Sequence, residues 1–390
     1  MQDLPNREKI TWKQLFKWRN DDKITIIVMS APMILIWILL LFHSKLNTLY
    51  ISNDSIINIY IAKYFYNLNP LDGGSFRFDP QKINSHLIGC PFLIKILSFF
   101  LFHNWTLTSM IYSLATSILC GLLFKRFLLA WNIVTDPLLT SSLLSIFPLR
   151  FYATRMVVAS DSLYLCFVFL AFISYRATKL KQLFWSIVFA SFFSENAIAL
   201  SLSFFLCFFR FEHYGKALKM LLAYICGVFP TLFFQLLFNG NPVAFYQEKY
   251  SLHGNFTFIP FSTFIQSTQG VIYLPQFHTY LYLFFPALIA LVFLNSISFL
   301  FPCFIGFTFL YMSMFDFIDI FRLSIPLEVF SFLIGFDFLL QSVKFRKSLP
   351  IFFGLYFIGA SILTFNSVAY DDLQNMSNRF VFSKIFPITS

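Results

Sequence analysis

The run from Ile24 to Phe42, ITIIVMSAPMILIWILLLF, holds no charged residue over nineteen positions. As a helix rising about 1.5 Å per residue, such a run is long enough to cross roughly 30 Å of hydrocarbon. Apolar runs recur along the chain, separated by short basic clusters. Charged residues make up 12% of the sequence, against about a quarter in soluble proteins. These features predict an integral membrane protein of the all-α, polytopic class.

Several other classes are excluded. The net charge of +10 comes from Lys and Arg residues that flank apolar runs, where the positive-inside bias places them, so nucleic acid is not an expected partner. The cysteines Cys90, Cys120, Cys166, Cys207, Cys226 and Cys303 fall singly, with no CxxC pair and no histidine at ligand spacing, so neither a metal nor a cofactor is expected. The 58 phenylalanines are scattered over every apolar run and read as lipid-facing and inter-helix filler. No Walker A or GxGxxG sequence is present, which argues against an ATP-driven pump. The charged N-terminus does not resemble a cleavable signal peptide, so Ile24–Phe42 reads as a signal anchor.

Arg7, Lys9, Lys13, Lys17, Arg19 and Lys23 set the N-terminus on the cytoplasmic side. Alternating the runs from there predicts residues 1–23 as a cytoplasmic segment and 24–365 as one transmembrane domain of roughly eleven crossings. External loops fall at 43–86 and 239–275, and 366–390 is an external tail. The residues from Ser55 to Tyr66 and from Pro91 to Phe102 are expected to be interfacial helices of the first external loop. Leu107–Phe124 is expected to cross inward and end at Lys125 and Arg126. Leu138–Pro148 should return outward, and Leu183–Phe209 should bend at Ser194-Glu195-Asn196. Leu323–Gln341 should be another crossing, with Asp337 pairing to Lys344 near its inner end. Four N-x-S/T sequons, at Asn53, Asn104, Asn255 and Asn375, fall on the outer face.

In this topology Asp54, Asp161 and Glu195 collect at the outer face with Arg150, Arg155 and Arg322. Ionisable groups at membrane depth are functional candidates. Structural roles compete with that reading. Asp54 suits the N-cap of the helix that follows, Asp161 the cap of a helix from Ser162, and Arg150 and Arg155 can snorkel to headgroups.

Asn53-Asp54-Ser55 with Ile61-Ala62 and Tyr66 resembles the Trp-Asp-Ser…Ile-Ala…Gly-Tyr segment of the glycosylphosphatidylinositol mannosyltransferase II family and its prokaryotic relatives. These are GT-C-type enzymes that use polyprenyl-phosphate sugars. In the same order, His86-Leu87-Ile88-Gly89-Cys90-Pro91 resembles the family's Phe-Phe-Pro-Leu-Tyr-Pro, and Ser160-Asp161-Ser162-Leu163 its Ser-Glu-Ser-Leu. Gly240-Asn241-Pro242-Val243-Ala244-Phe245 is similar to Gly-Asp-Pro-x-Ala-Phe, and Phe321-Arg322 before Pro326 to Arg-Tyr before a proline. Asn53 stands for the tryptophan, Ile88 for the first proline, and Phe193-Ser194-Glu195 for a Thr-Arg element.

The resemblance implies an inverting transfer of a hexose, mannose above all, from a polyprenyl-phosphate donor to a glycolipid acceptor on the lumenal or external face. Such transfer needs a base for the acceptor hydroxyl proton, expected to be Asp54, and cations for the leaving phosphate, expected to be Arg150, Arg155 and Arg322. Asp161 and Glu195 are expected to act as a second acid or as acceptor contacts. The membrane implied is the endoplasmic reticulum in a eukaryote and the plasma membrane in a prokaryote, with room for a small membrane subunit as partner. The competing reading is a lipid-linked sugar transporter or flippase, or a catalytically silent subunit of a glycolipid-synthesis complex.

Overall fold

A computed structural model describes residues 12–50, 55–67, 83–251, 274–314, 323–335 and 337–369. The described residues form helices and turns, with no strand among them. Among the described residues four helices are long and apolar enough to cross a membrane: Asn20–Phe42, Trp105–Trp131, Tyr214–Asn239 and Val343–Asn366, the last lying within the helix Val343–Ala369. Shorter apolar helices lie between them, at Gly89–Phe100, Leu180–Phe193, Ala197–Arg210, Tyr282–Asn295 and Leu300–Met312. The chain is therefore an integral membrane protein.

The helix ends follow from local chemistry. Asn104 Oδ1 accepts from the Leu107 N–H at 3.0 Å and starts the helix to Trp131, which Asn132 ends in the left-handed region. Asp136 Oδ1 accepts from the Leu139 N–H at 3.0 Å ahead of Pro137, a proline at the first helical position, where its missing N–H costs nothing. Gly240, at φ 70°, closes the helix Tyr214–Asn239 with a conformation that needs no Cβ.

The core is aromatic. Phe124 and Phe169 lie tilted with centroids 4.9 Å apart, Phe172 lies 5.3 Å from both Phe301 and Phe330, and Phe304 lies 5.0 Å from Phe330. These rings join Trp105–Trp131, Asp161–Arg176, Leu300–Met312 and the segment from Ile325. Small residues let other helices approach closely. A Cβ on Gly227 would collide with the Val188 carbonyl, and one on Gly121 would meet Met29 Cγ at 2.5 Å.

Lys125 and Arg126 do not end their helix, which runs on to Trp131. Both are buried, because Asp22 on the first long helix takes them up. Lys125 Nζ lies 3.0 Å from Asp22 Oδ1 and 2.7 Å from Asp21 Oδ2. Arg126 Nη2 bonds Asp22 Oδ2 and also donates to the Lys17 carbonyl at 3.2 Å. Charge pairing thus carries the helix past the point where hydropathy alone would stop it. Asp337 likewise binds Thr135 rather than Lys344, accepting from its backbone N–H at 3.1 Å and from its hydroxyl at 3.1 Å. Arg346 pairs with the neighbouring Asp136 at 3.1 Å.

Two expected crossings are interrupted. Leu138–Pro148 contains the helix Pro137–Leu143, followed by turns and then Leu149–Thr154. Leu323–Gln341 consists of Ile325–Glu328, a π-helical stretch Val329–Ile334 and Asp337–Gln341. The bend expected in Leu183–Phe209 is present: Leu180–Phe193 and Ala197–Arg210 are separate helices with Glu195 in the break. The expected helices at the first loop run over Ser55–Tyr64 and Gly89–Phe100.

Candidate functional site

The turn from Arg155 to Asp161 joins Leu149–Thr154 to Asp161–Arg176, and side chains from two other helices hold its backbone. Ser113 Oγ donates to the Val157 carbonyl at 2.9 Å. The Val158 N–H donates to Ser55 Oγ at 2.9 Å, while Asn58 Nδ2 donates to the Val158 carbonyl at 3.1 Å. Tyr112 donates its phenol proton to the Ala159 carbonyl at 3.0 Å and lies 3.1 Å from Cys90 Sγ. Ser55, Asn58, Tyr112 and Ser113 are all buried. A buried turn has backbone groups that no ladder satisfies, and here side chains replace the ladder.

This turn presents a cation at one end and a carboxylate at the other. Asp161 is the first residue of its helix and is buried near Tyr112. The residue before it, Ser160, makes no side-chain cap, so Asp161 stands inside the first turn rather than capping a helix from Ser162. A carboxylate there is favoured by the helix dipole.

Arg155 is 1% exposed, so it does not snorkel. Its Nη1 donates at 3.0 Å to the carbonyl of Met29, midway along Asn20–Phe42, and its guanidinium lies 5.4 Å from the Tyr152 ring. Nε and Nη2 have no hydrogen-bond partner. These two nitrogens form the side-on fork with which arginine takes a carboxylate or phosphate. Arg150 lies half-buried on Leu149–Thr154 and is engaged in contacts of its own.

Glu195 lies in the break between Leu180–Phe193 and Ala197–Arg210, partly exposed. It acts electrostatically on Tyr246, which bonds to Tyr224 and belongs to the helix Ala244–Ser251, in the stretch expected to be the second external loop. That loop is tied to the first. Gln235 accepts from the Phe245 N–H at 2.8 Å and donates to the Asn84 carbonyl at 2.8 Å. Glu248 side-chain contacts lie outside the described residues, as do Asp54 and Arg322 altogether.

One apolar cluster underlies these positions. Ile59, Cys90, Tyr112, Val158, Leu163 and Phe193 pack together. Leu163 follows Asp161 by two residues, Phe193 precedes Glu195 by two, and Ile59 is on the helix that begins at Ser55, next in the chain to Asp54. The three acids singled out in the sequence therefore belong to segments that converge.

The sequence reading did not single out Glu328. It is 5% exposed, and Ser324 Oγ donates to its Oε1 at 2.7 Å. It is the one charged residue between Arg322 and Asp337, and that isolation was the available signal. Glu328 and Arg155 place ionisable groups in the interior of the bundle. Among the described residues no group of three or more His, Cys, Asp or Glu side chains is arranged to hold a metal.

No family model matches the chain, and no curated protein and no solved structure matches it.

Proposed function

We propose that the chain is a GT-C-type membrane glycosyltransferase of roughly eleven crossings that transfers a hexose, mannose first among candidates, from a polyprenyl-phosphate donor to a glycolipid acceptor. The observation that carries this reading is the Arg155–Asp161 turn. It is clamped from the segment that follows Asp54, and it offers an unfilled guanidinium fork close in sequence to a buried carboxylate.

In the proposed reaction the acceptor hydroxyl oxygen attacks the anomeric carbon. The bond from that carbon to the phosphate oxygen breaks with inversion, and polyprenyl phosphate leaves with the electron pair. Asp54 takes the hydroxyl proton, and Asp161 and Glu195 orient the acceptor. The fork of Arg155, together with Arg150 and Arg322, stabilises the departing phosphate. An unpaired buried guanidinium edge is costly in the empty protein, and a phosphate ligand would remove that cost. The convergence of the two external loops on Gln235 supports an acceptor site at the same face.

The test is transfer of labelled mannose from a polyprenyl-phosphate donor into the lipid fraction of membranes holding the wild type or Asp54→Asn. Transfer lost in the variant at equal protein level supports both activity and residue. Equal transfer removes Asp54 from the mechanism and turns attention to Asp161. A wild type inactive with every sugar donor favours the second reading, a lipid-linked sugar transporter or a catalytically silent subunit. The interior positions of Arg155 and Glu328 are the observation on its side, because transport routes are lined by ionisable groups.

A further inference from the structure

Ser55–Tyr64 and Gly89–Phe100 pack together through Ile59, Ala62, Cys90 and Ile94, with Trp105 at the edge of the same cluster. The residues after Ala62 and Ile94 are lysines, and each reaches across the seam to an aromatic ring. Lys63 Nζ lies 5.0 Å from the centroid of Trp105, and Lys95 Nζ lies 3.8 Å from that of Phe65. Phe65 is itself fixed by stacking on Phe234 and Phe238, with centroids 5.2 and 4.9 Å away. Lys63 is exposed and Lys95 half-buried. None of the ion pairs among the described residues includes either of them. The stretches 55–67 and 83–135 contain no Asp or Glu. Two solvent-accessible cations therefore stand at this seam with no carboxylate supplied by their own segments.

The outward face of Gly89–Phe100 is apolar. Phe92, Ile96 and Phe99 are exposed, and Lys95 lies on the same stripe, three positions after Phe92 and four before Phe99. The helix has 12 residues and is about 18 Å long, too short to cross hydrocarbon. Beyond it the chain turns through Phe102 and His103, at φ 52° and 57°, and Phe102 is 94% exposed. Two consecutive non-glycine residues in the left-handed region are strained, and such strain collects at functional positions.

We propose that this face is a binding surface for anionic phospholipid, with Phe92, Ile96, Phe99 and Phe102 set against acyl chains and Lys63 and Lys95 against the phosphate groups. A short helix with exposed large apolar residues and a lysine along one stripe suits the boundary between acyl chains and headgroups. A ring face attracts an ammonium ion but supplies no oxygen acceptor, so the lysine N–H donors are positioned and still available to phosphate. A choline lipid fits less well. The ring faces that would attract its ammonium group already carry lysines, and the adjoining segments offer it no countercharge. The surface does not rest on the glycosyltransferase reading.

The test is quenching of tryptophan fluorescence in the full-length protein, reconstituted into phosphatidylcholine vesicles with a minor share of either brominated phosphatidylglycerol or brominated phosphatidylcholine. Trp105 is isolated by subtracting the signal of Trp105→Phe, which keeps a ring beneath Lys63. Brominated phosphatidylglycerol should quench Trp105 severalfold more than brominated phosphatidylcholine does. The preference should vanish in Lys63→Gln/Lys95→Gln, measured against the same variant carrying Trp105→Phe, and should shrink with added KCl as the charges are screened. Equal quenching by the two lipids in the wild type would overturn the proposal, as would an undiminished preference in the folded double variant. Should that variant not fold, a wild-type preference unmoved by KCl overturns it equally. The vesicles contain neither sugar donor nor polyprenyl phosphate, so the glycosyltransferase reading stands or falls by its own assay.

Discussion

The backbone N–H of Val158 donates to the hydroxyl of Ser55 at 2.9 Å, across 103 positions of sequence. Ser55 follows Asp54 in the chain, and Val158 precedes Asp161 by three residues. A single buried hydrogen bond therefore links the segments of two proposed acids. Asn58 doubles the link by donating to the carbonyl of the same residue at 3.1 Å.

Ser55→Ala removes the acceptor and leaves a buried N–H without a partner, at a cost of about 1–3 kcal/mol. Transfer activity should fall along with stability, since the turn that carries Arg155 and Asp161 is loosened. Unfolding in a graded detergent series, run beside the transfer assay, checks both. A variant as stable and active as the wild type would show that the bond positions nothing.

Arg155→Met should behave in the opposite sense on the two axes. One hydrogen bond, to Met29, is lost, but two unpartnered buried nitrogens are removed with it. Replacing buried charge with a well-packed apolar chain is often neutral or stabilising. Stability should therefore hold or rise while transfer drops by about two orders of magnitude. Arg155→Lys keeps the charge but not the fork, and should also lose most of the transfer. Full activity in Arg155→Met would remove this residue from the phosphate site.

Asp22→Ala strands Lys125 and Arg126, both buried, leaving Asp21 beside Lys125 and the Lys17 carbonyl beside Arg126. Breaking a buried charge network by removing one partner costs about 3–5 kcal/mol. Asp22→Leu combined with Arg126→Met should recover part of that loss, because fewer unmatched charges remain. Unfolding measured on the two variants gives the comparison, and an equal or greater loss in the double variant would contradict the reading.

Gly227→Ala puts a methyl group against the Val188 carbonyl, where backbone must move. Overpacking of this kind costs about 1–3 kcal/mol. Gly354→Ala, on a helix where a Cβ meets nothing within 4 Å, should instead be neutral or slightly stabilising. The same unfolding measurement distinguishes the two glycines.

Much of the architecture was legible from residue order. The apolar runs located the long helices, the interruption at Ser194-Glu195-Asn196 located a break, and the spacing of Ile56, Ile57, Tyr60, Ile61 and Tyr64 located the helix Ser55–Tyr64. These features depend on one segment and its solvent, so a local pattern specifies them. The same pattern erred where a charge was neutralised by a distant partner. Lys125 and Arg126 read as a helix end because hydropathy treats each as facing water, whereas Asp22, 103 and 104 positions away, keeps both inside.

The sequence by itself determined that this chain lives in a membrane, that its helices follow the apolar runs, and which acids and arginines deserved notice. Tertiary structure alone decided which of them meet. It brought the segments of Asp54, Asp161 and Glu195 onto one cluster, turned Arg155 inward to the Met29 carbonyl, and buried Glu328 with Ser324 as its hydrogen-bond donor. The reason is physical. Partition into lipid depends on each helix separately, whereas the pairing of buried polar groups depends on which helices pack side by side and in what rotation, and that is a property of the assembled bundle.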